Sequence, residues 1–315
     1  MKDISYSILV PLFNESDSFQ KLIERLSNLM DKENETIEVV LVDDGSSDNT
    51  FQLIEEITQK DERYRGVKLS RNFGHQLALT AGMSVVRATK AVMVIDGDLQ
   101  DPPEMFFQFK EKIENGYDIA VGVRATREAS AFYNFCYKLF YRLLNKFSYT
   151  KLTLDSGDFA MITRRVVNIL NDMPEQSRYL RGLRSWVGFK EAQIPYDRDA
   201  RAQGESKYSF GSLIKLAYEG FYNFSWLPIR LMTYLGLSGI ILCSIYVIHL
   251  LYLKFTTDIV PTGFTATIVL IVFIGCLQFL FLGILGEYIV RTFAQVKNRP
   301  LFIIEKIVGK DNGGD

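Results

Sequence analysis

Cysteine is scarce in this sequence, and neither sign of charge is in excess. The three cysteines, Cys136, Cys243 and Cys276, show no paired spacing, and two of them sit in apolar stretches. This argues against a disulfide framework or a zinc site and suits a reducing compartment. A net charge of −1 gives no electrostatic reason to expect nucleic acid as a partner. No Gly-x-Gly-x-x-Gly follows the first apolar run, and no Gly-Lys-Ser/Thr phosphate loop occurs. Dinucleotide redox chemistry and ATP hydrolysis therefore lose their usual signatures. Met1-Lys2-Asp3 leads straight into a predicted strand, so no signal peptide is expected.

What is present is unevenly distributed. The first two hundred residues mix charged and apolar side chains, whereas most of 229–304 is apolar and aromatic. In the first part, short apolar runs alternate with helical periodicity. Ser7–Leu12, Ile37–Val42, Val67–Leu69, Ala91–Ile95 and Asp118–Arg124 are predicted strands. Leu22, Ile23, Leu26 and Leu29 recur at helical spacing, and a second helix is predicted over residues 49–60. Strands alternating with helices predict an α/β domain with a doubly wound, mostly parallel sheet.

The organising stretch is Val94-Ile95-Asp96-Gly97-Asp98-Leu99-Gln100-Asp101. An apolar, non-alternating run, as in a buried parallel strand, ends in two carboxylates one residue apart. Ligands of open α/β sheets bind at the carboxyl ends of strands. Two aspartates there can turn oxygens toward one hard cation, Mg²⁺ or Mn²⁺, which also binds substrate phosphates. Polar clusters recur at the other strand ends: Asn14-Glu15, Asp43-Asp44 and Arg71-Asn72. Asp155-Ser156-Gly157-Asp158 adds two acids at a glycine turn, which either complete the site or form an ordinary turn, and spacing alone does not decide between them.

Residues 129–150 interleave aromatics with Lys138, Arg142 and Lys146, whose spacing places them in one stripe on a helix. Such a helix fits a membrane interface. Arg178, Arg181 and Arg184 follow at i, i+3 and i+6, and residues 198–208 form a basic loop containing Arg201 and Lys207, able to engage phosphates. Residues 211–229 read as a surface-lying helix. Met232–Leu253 and Phe264–Gly286 each exceed the ~20 residues that cross a bilayer. With Arg230 before them and Arg291, Lys297 and Arg299 after, the positive-inside rule predicts a two-helix hairpin over 230–290, with the residue 1–210 domain and the 291–315 tail both cytoplasmic. His249 reads as an interfacial residue near the outer end.

These residues resemble a membrane-anchored family 2 glycosyltransferase of the polyprenyl-phosphate group, which includes bactoprenol glucosyltransferases and dolichol-phosphate mannose synthases. The resemblance rests on Val10-Pro11-Leu12-Phe13-Asn14-Glu15, Val42-Asp43-Asp44-Gly45-Ser46, Arg71-Asn72-Phe73-Gly74, Asp96-Gly97-Asp98-Leu99-Gln100-Asp101-Pro102-Pro103, Asp155-Ser156-Gly157-Asp158-Phe159 and Gly204-Glu205-Ser206-Lys207-Tyr208. Ala160 departs from the pattern, since many relatives carry an arginine there.

The resemblance implies a GT-A fold and transfer of a hexose, glucose from UDP-glucose, to the phosphate of an undecaprenyl-type lipid at the cytoplasmic face of the inner membrane. It implies that Pro11, Asn14, Glu15, Asp43 and Asp44 hold uridine and ribose. It also implies that Asp96 and Asp98 hold the Mg²⁺ or Mn²⁺ at the diphosphate, with Gln100 nearby. Arg124, Arg201 and Lys207 are the candidate cations for the leaving group, and Asp158 takes the remaining acidic role as positioner or weak base. Lys138, Arg142, Lys146 and Asp155 are the candidate lipid and acceptor contacts. GDP-mannose or a modified UDP-arabinose are the alternative donors. The partners are the nucleotide sugar, the polyprenyl phosphate and membrane lipids, with room for a homo-oligomer and a downstream flippase. A processive synthase is disfavoured by two spans and by the lack of Gln-x-x-Arg-Trp. A silent scaffold is disfavoured by the intact Asp96/Asp98 pair.

Overall fold

The computed structural model describes residues 3–124, 156–176, 178–197, 227–256 and 263–310. Lys138, Arg142, Lys146, Asp155, Arg201 and Lys207 lie outside them, as do the expected interfacial helix at 129–150 and most of that at 211–229.

The chain begins with β1 (Tyr6–Leu12), α1 (Ser16–Lys32), β2 (Ile37–Asp43), α2 (Thr50–Lys60), β3 (Tyr64–Leu69), α3 (His75–Val85) and β4 (Ala91–Val94). β1, β2 and β4 are buried at every position, which is why their sequences run apolar without alternating. α1 spaces Phe19, Leu22, Ile23, Leu26, Leu29 and Met30 onto one buried face. After β4 a 3₁₀ turn, Pro103–Met105, leads into α4 (Phe106–Glu114), where the rigid prolines suit a first turn.

Then come β5 (Ile119–Arg124), β6 (Ser156–Thr163), α5 (Arg164–Asp172), α6 (Leu180–Trp186) and β7 (Glu191–Tyr196). Two long helices, α7 (Leu227–Thr256) and α8 (Phe264–Lys297), precede the strand β8 (Ile304–Val308).

The eight strands form one sheet in the order β7-β5-β6-β4-β1-β2-β3-β8. The run β3-β2-β1-β4 is parallel throughout, as expected for right-handed βαβ crossovers. β6 and β8 are antiparallel to their neighbours, so the sheet is mixed, although the other strands all run the same way. The chain reverses its winding between β1 and β4, which leaves a crevice at their carboxyl ends.

The described residues fall into two compact units, the sheet with its helices and the pair α7 and α8. The 291–315 stretch is not simply a tail. α8 continues to Lys297 and stops at Asn298 in left-handed backbone, φ 46°. The chain then returns to the sheet as β8. Val308 packs with Ile54 in the core and stands opposite Gly66 of β3. Lys306 pairs with Glu55 at 2.6 Å and Glu305 with Lys68 at 3.1 Å. Deleting residues 304–315 is expected to cost about 2 kcal/mol, chiefly through the loss of Val308 from the core and the exposure of the β3 edge. A thermal unfolding midpoint equal to that of the full chain would refute this.

Two apolar spans are expected from the sequence, but the described residues contain one helical stretch, Phe273–Lys297, long and apolar enough to cross a membrane. In the 30-residue helix α7 the described apolar stretch is Met232–Tyr246, shorter than that of α8.

Candidate active site

At the carboxyl ends of β1, β2 and β4 lies a cavity of about 280 Å³. The end of β1 contributes Pro11, Phe13 and Glu15, β2 contributes Asp44, the β3–α3 loop contributes Asn72, Gly74 and His75, and β4 delivers Asp96 and Asp98. The turn Asp96-Gly97-Asp98 fits beneath the end of β1 because residue 97 is glycine. A Cβ there would strike Leu12 and the carbonyl of Pro11.

The other acids are largely committed to building the rim. Asp44 accepts hydrogen bonds from the backbone N–H groups of Phe73 (2.7 Å) and Gly74 (2.9 Å), fixing the entry to α3. Burial nonetheless pushes its carboxyl above the ordinary value, against those two bonds. Asp43 does not line the cavity. Its Oδ1 accepts from the Ser46 N–H, while Oδ2 has no hydrogen-bond partner among the described residues, and burial raises its pKa. Asn14, in left-handed backbone at φ 54°, accepts from Ser47 N and Oγ, bracing two loops together. Of the five residues expected to hold uridine and ribose, Pro11, Glu15 and Asp44 therefore face the cavity, whereas Asn14 and Asp43 shape its walls. Gln100 donates its backbone N–H to Asp98 Oδ1 at 3.2 Å. Arg124 closes β5 opposite Tyr196, and its side chain lies outside the described residues.

Asp158 lines the smaller neighbouring cavity of about 20 Å³ and is joined to the first through His75. Arg181 grips it from α6, Nε to Oδ1 at 3.1 Å and Nη2 to Oδ2 at 3.3 Å. The Gln76 amide donates to Oδ2 at 2.8 Å, and His75 Nε2 stands 3.4 Å from the same oxygen. Burial would raise this carboxyl, but Arg181 and His75 outweigh it and hold Asp158 far below the usual carboxylate range. His75 reaches the opposite way to Asp96 Oδ1 at 3.6 Å. Burial works against its charge, yet the bond to Asp158 and the fields of Asp96 and Asp158 lift the imidazolium to about 9. Asp96 moves the other way: burial pushes it up to about 6, His75 opposes, and Asp101, Asp158 and Asp98 add to the rise.

His75, Gln76 and Arg181 stand outside the residues expected from sequence. The signal was available in part, because His75-Gln76 directly continues Arg71-Asn72-Phe73-Gly74, and Arg181 is the middle arginine of the i, i+3, i+6 run. Only the fold brings α3 and α6 to the same carboxylate. Arg184 of that run is buried and donates to the carbonyl of Gly157 at 3.2 Å. It shares a cavity of about 20 Å³ with Ala160.

Among the described residues no group of three or more His, Cys, Asp or Glu side chains is placed to hold an ion. The pair Asp96 and Asp98 opens onto one cavity, and Asp96 Oδ1 has no hydrogen-bond partner among the described residues. One or two carboxylates completed by water and substrate phosphates is the donor set Mg²⁺ and Mn²⁺ ordinarily accept, so the residues fit such an ion.

The model of the family described as "Glycosyl transferase family 2" matches residues 7–170. This stretch contains β1 through β6 and every described residue of the cavity. The chain belongs to glycosyl transferase family 2. It is thus a glycosyltransferase, and its mixed sheet with the crevice at the ends of β1, β2 and β4 is the GT-A-like form of the α/β class.

Its relatives span nearly its whole length. The uncharacterized glycosyltransferase YkcC of Bacillus subtilis is 38% identical over 312 residues, covering 99% of this chain and 96% of that protein. The prophage bactoprenol glucosyl transferase homolog of Escherichia coli K12 is 34% identical over 305 residues, with 96% and 98% covered. The SfII prophage-derived bactoprenol glucosyl transferase of Shigella flexneri is 33% identical over 301 residues, with 95% and 97% covered.

Proposed function

We propose that the protein transfers a hexose, glucose from UDP-glucose, to the phosphate of a polyprenyl phosphate of the undecaprenyl type at the cytoplasmic face of a membrane. The observation that carries this reading is a cavity lined by the carboxylates Asp96 and Asp98 and by His75, which ties the cavity to the buried Asp158 held by Arg181. The names of the bactoprenol glucosyl transferase relatives, similar along nearly the whole chain, support the lipid acceptor and the glucosyl donor.

Pro11, Glu15 and Asp44, which line the cavity, are assigned to the uridine and ribose, and the half-exposed ring of Phe13 to the face of the base. Asp96 and Asp98 are the residues to hold a divalent cation, which supplies charge neutralisation for the departing UDP diphosphate. Arg124, Arg201 and Lys207 are assigned to the same developing charge. The acceptor's phosphate oxygen attacks the anomeric carbon in line as the bond to the UDP oxygen breaks, so the configuration inverts. A phosphate monoester has a second pKa of about 6 and is largely ionised at neutral pH, so no strong base is needed. Asp158, clamped and weakly basic, is assigned to positioning, holding His75 and α6 in place. Lys138, Arg142, Lys146 and Asp155 are assigned to the lipid headgroup region.

Membrane attachment through α7 and α8 is supported by their exposed apolar side chains, among them Ile241, Leu242, Phe279 and Ile289. The connectivity constrains the topology. Chain segments before α7 and after α8 both belong to one sheet, since β8 pairs with β3. Any crossing by α8 therefore needs a return crossing, and α7 is the segment available for it. Neither a homo-oligomer nor a flippase finds support in the fold or the relatives.

The experiment is an assay of the purified full chain with radiolabelled UDP-glucose, UDP-N-acetylglucosamine and GDP-mannose, polyprenyl phosphate, and Mn²⁺ or chelator. A lipid-linked monosaccharide formed from UDP-glucose, and lost in chelator, is the expected product. Polymer, product from another donor alone, or no transfer at all would overturn the reading.

A further inference from the structure

The acidic loop Asp96–Asp101 carries backbone strain. Leu99 has φ 59° and is nearly buried. A left-handed backbone is strained for a branched residue, and such conformations persist only where the surroundings enforce them. Two contacts hold the loop from outside. Asp96 faces His75 at its start. At its end Asp101, 2% exposed, accepts a hydrogen bond of 2.6 Å from the hydroxyl of Tyr196.

Tyr196 is the last residue of β7 and is itself buried. Its ring meets Phe159 edge to face, centroids 5.1 Å apart. Phe159 directly follows Asp158 in β6. Gly122 of β5 leaves room for both rings, since a Cβ there would meet Phe159 and Tyr196. One side chain thus touches the carboxylate-bearing loop through its hydroxyl and the Asp158 strand through its ring.

We propose that the Tyr196–Asp101 hydrogen bond is a latch that keeps the strained loop in the conformation presenting Asp98 to the donor diphosphate. Tyr196 and Asp101 are positioning residues, reaching the substrate only through Asp98. The inference rests on the reading above, in which a nucleoside diphosphate with a divalent ion binds at Asp96 and Asp98.

The test uses the purified full chain and Tyr196→Phe, which keeps the ring against Phe159 and removes only the hydroxyl. UDP binding with Mn²⁺ is followed by calorimetry, and backbone amide exchange of residues 96–105 by mass spectrometry. The expected result is exchange in that segment at least tenfold faster and UDP affinity about tenfold weaker, with the KM for lipid acceptor unchanged. Leu99→Gly, placed in the Tyr196→Phe background, relaxes the left-handed position and is expected to recover part of the lost affinity. A mere packing defect would not be rescued this way. Unchanged exchange overturns the latch. Faster exchange with undiminished UDP affinity overturns its positioning role. Wild-type protein that fails to bind UDP with Mn²⁺ removes the functional reading itself, and the positioning role with it.

Discussion

Asp98→Asn is expected to lower sugar transfer to polyprenyl phosphate by about three orders of magnitude, roughly 4 kcal/mol of barrier. The substitution keeps the size of the side chain and an oxygen able to accept from the Gln100 N–H, so the loop retains its local bond. It removes one of the two negative charges that would hold a divalent ion against the leaving diphosphate. Because the side chain is partly solvated at the cavity rim, stability is expected to change by less than about 0.5 kcal/mol. The checking measurements are initial rates with UDP-glucose and Mn²⁺, and a thermal melt of the same preparation. Turnover equal to wild type in Asp98→Asn would remove the carboxylate pair from the mechanism. A lost melt would show that the residue is structural instead.

Asp158→Asn is the second large effect, and it separates two roles. The wild-type carboxylate is ionised throughout the working range and spread over Arg181, Gln76 and His75. Replacing it removes the carboxylate charge that Arg181 and His75 share, which is expected to cost about 2 kcal/mol of stability and about a hundredfold in turnover through misplaced α3 and α6. If Asp158 only positions, the residual activity keeps the wild-type pH profile, rising with the second ionisation of the acceptor phosphate near pH ~6. A profile that loses this limb, or rises steadily with hydroxide, would identify Asp158 as a base instead.

The same substitution has a signature in stability. His75 is raised to about 9 in the folded protein, above its ordinary value of about 6.5. Its contribution is complete below that ordinary value and fades as pH rises through about 9. The ring is partly exposed, so solvent screening limits the effect to about 1 kcal/mol. The wild-type unfolding midpoint is expected to fall between pH 7 and pH 10 more steeply than that of either Asp158→Asn or His75→Gln. Parallel curves for all three would show that the pairing of His75 with Asp158 adds nothing to the fold.

Much of the architecture is legible in the residues. β1, β2 and β4 announce themselves because strands buried on both faces must be apolar at every position, and α1 because its core face recurs at helical spacing. The strand-end acids mark the crevice for the same reason, since a polar cluster after a buried strand has nowhere else to face. The periodicity gives no sign of β8. Ile304-Glu305-Lys306-Ile307-Val308 is short, charged and distant in sequence from β3, and its pairing depends on a chain that leaves through α7 and α8 and returns.

The amino-acid sequence alone pointed to the α/β class through its alternation of strands and helices, to the family through the resemblance of its motifs, and to Asp96 and Asp98 as the point where chemistry is expected through their place at a strand end. The tertiary structure alone decided what surrounds that pair. Long-range packing sets Asp158 between His75 and Arg181, commits Asn14 and Asp44 to loop bracing, and ties Asp101 to Tyr196. Those contacts join residues some 80 to 100 positions apart for His75–Asp158 and Asp101–Tyr196, and their charges and bonds arise from burial and proximity, which no local pattern encodes.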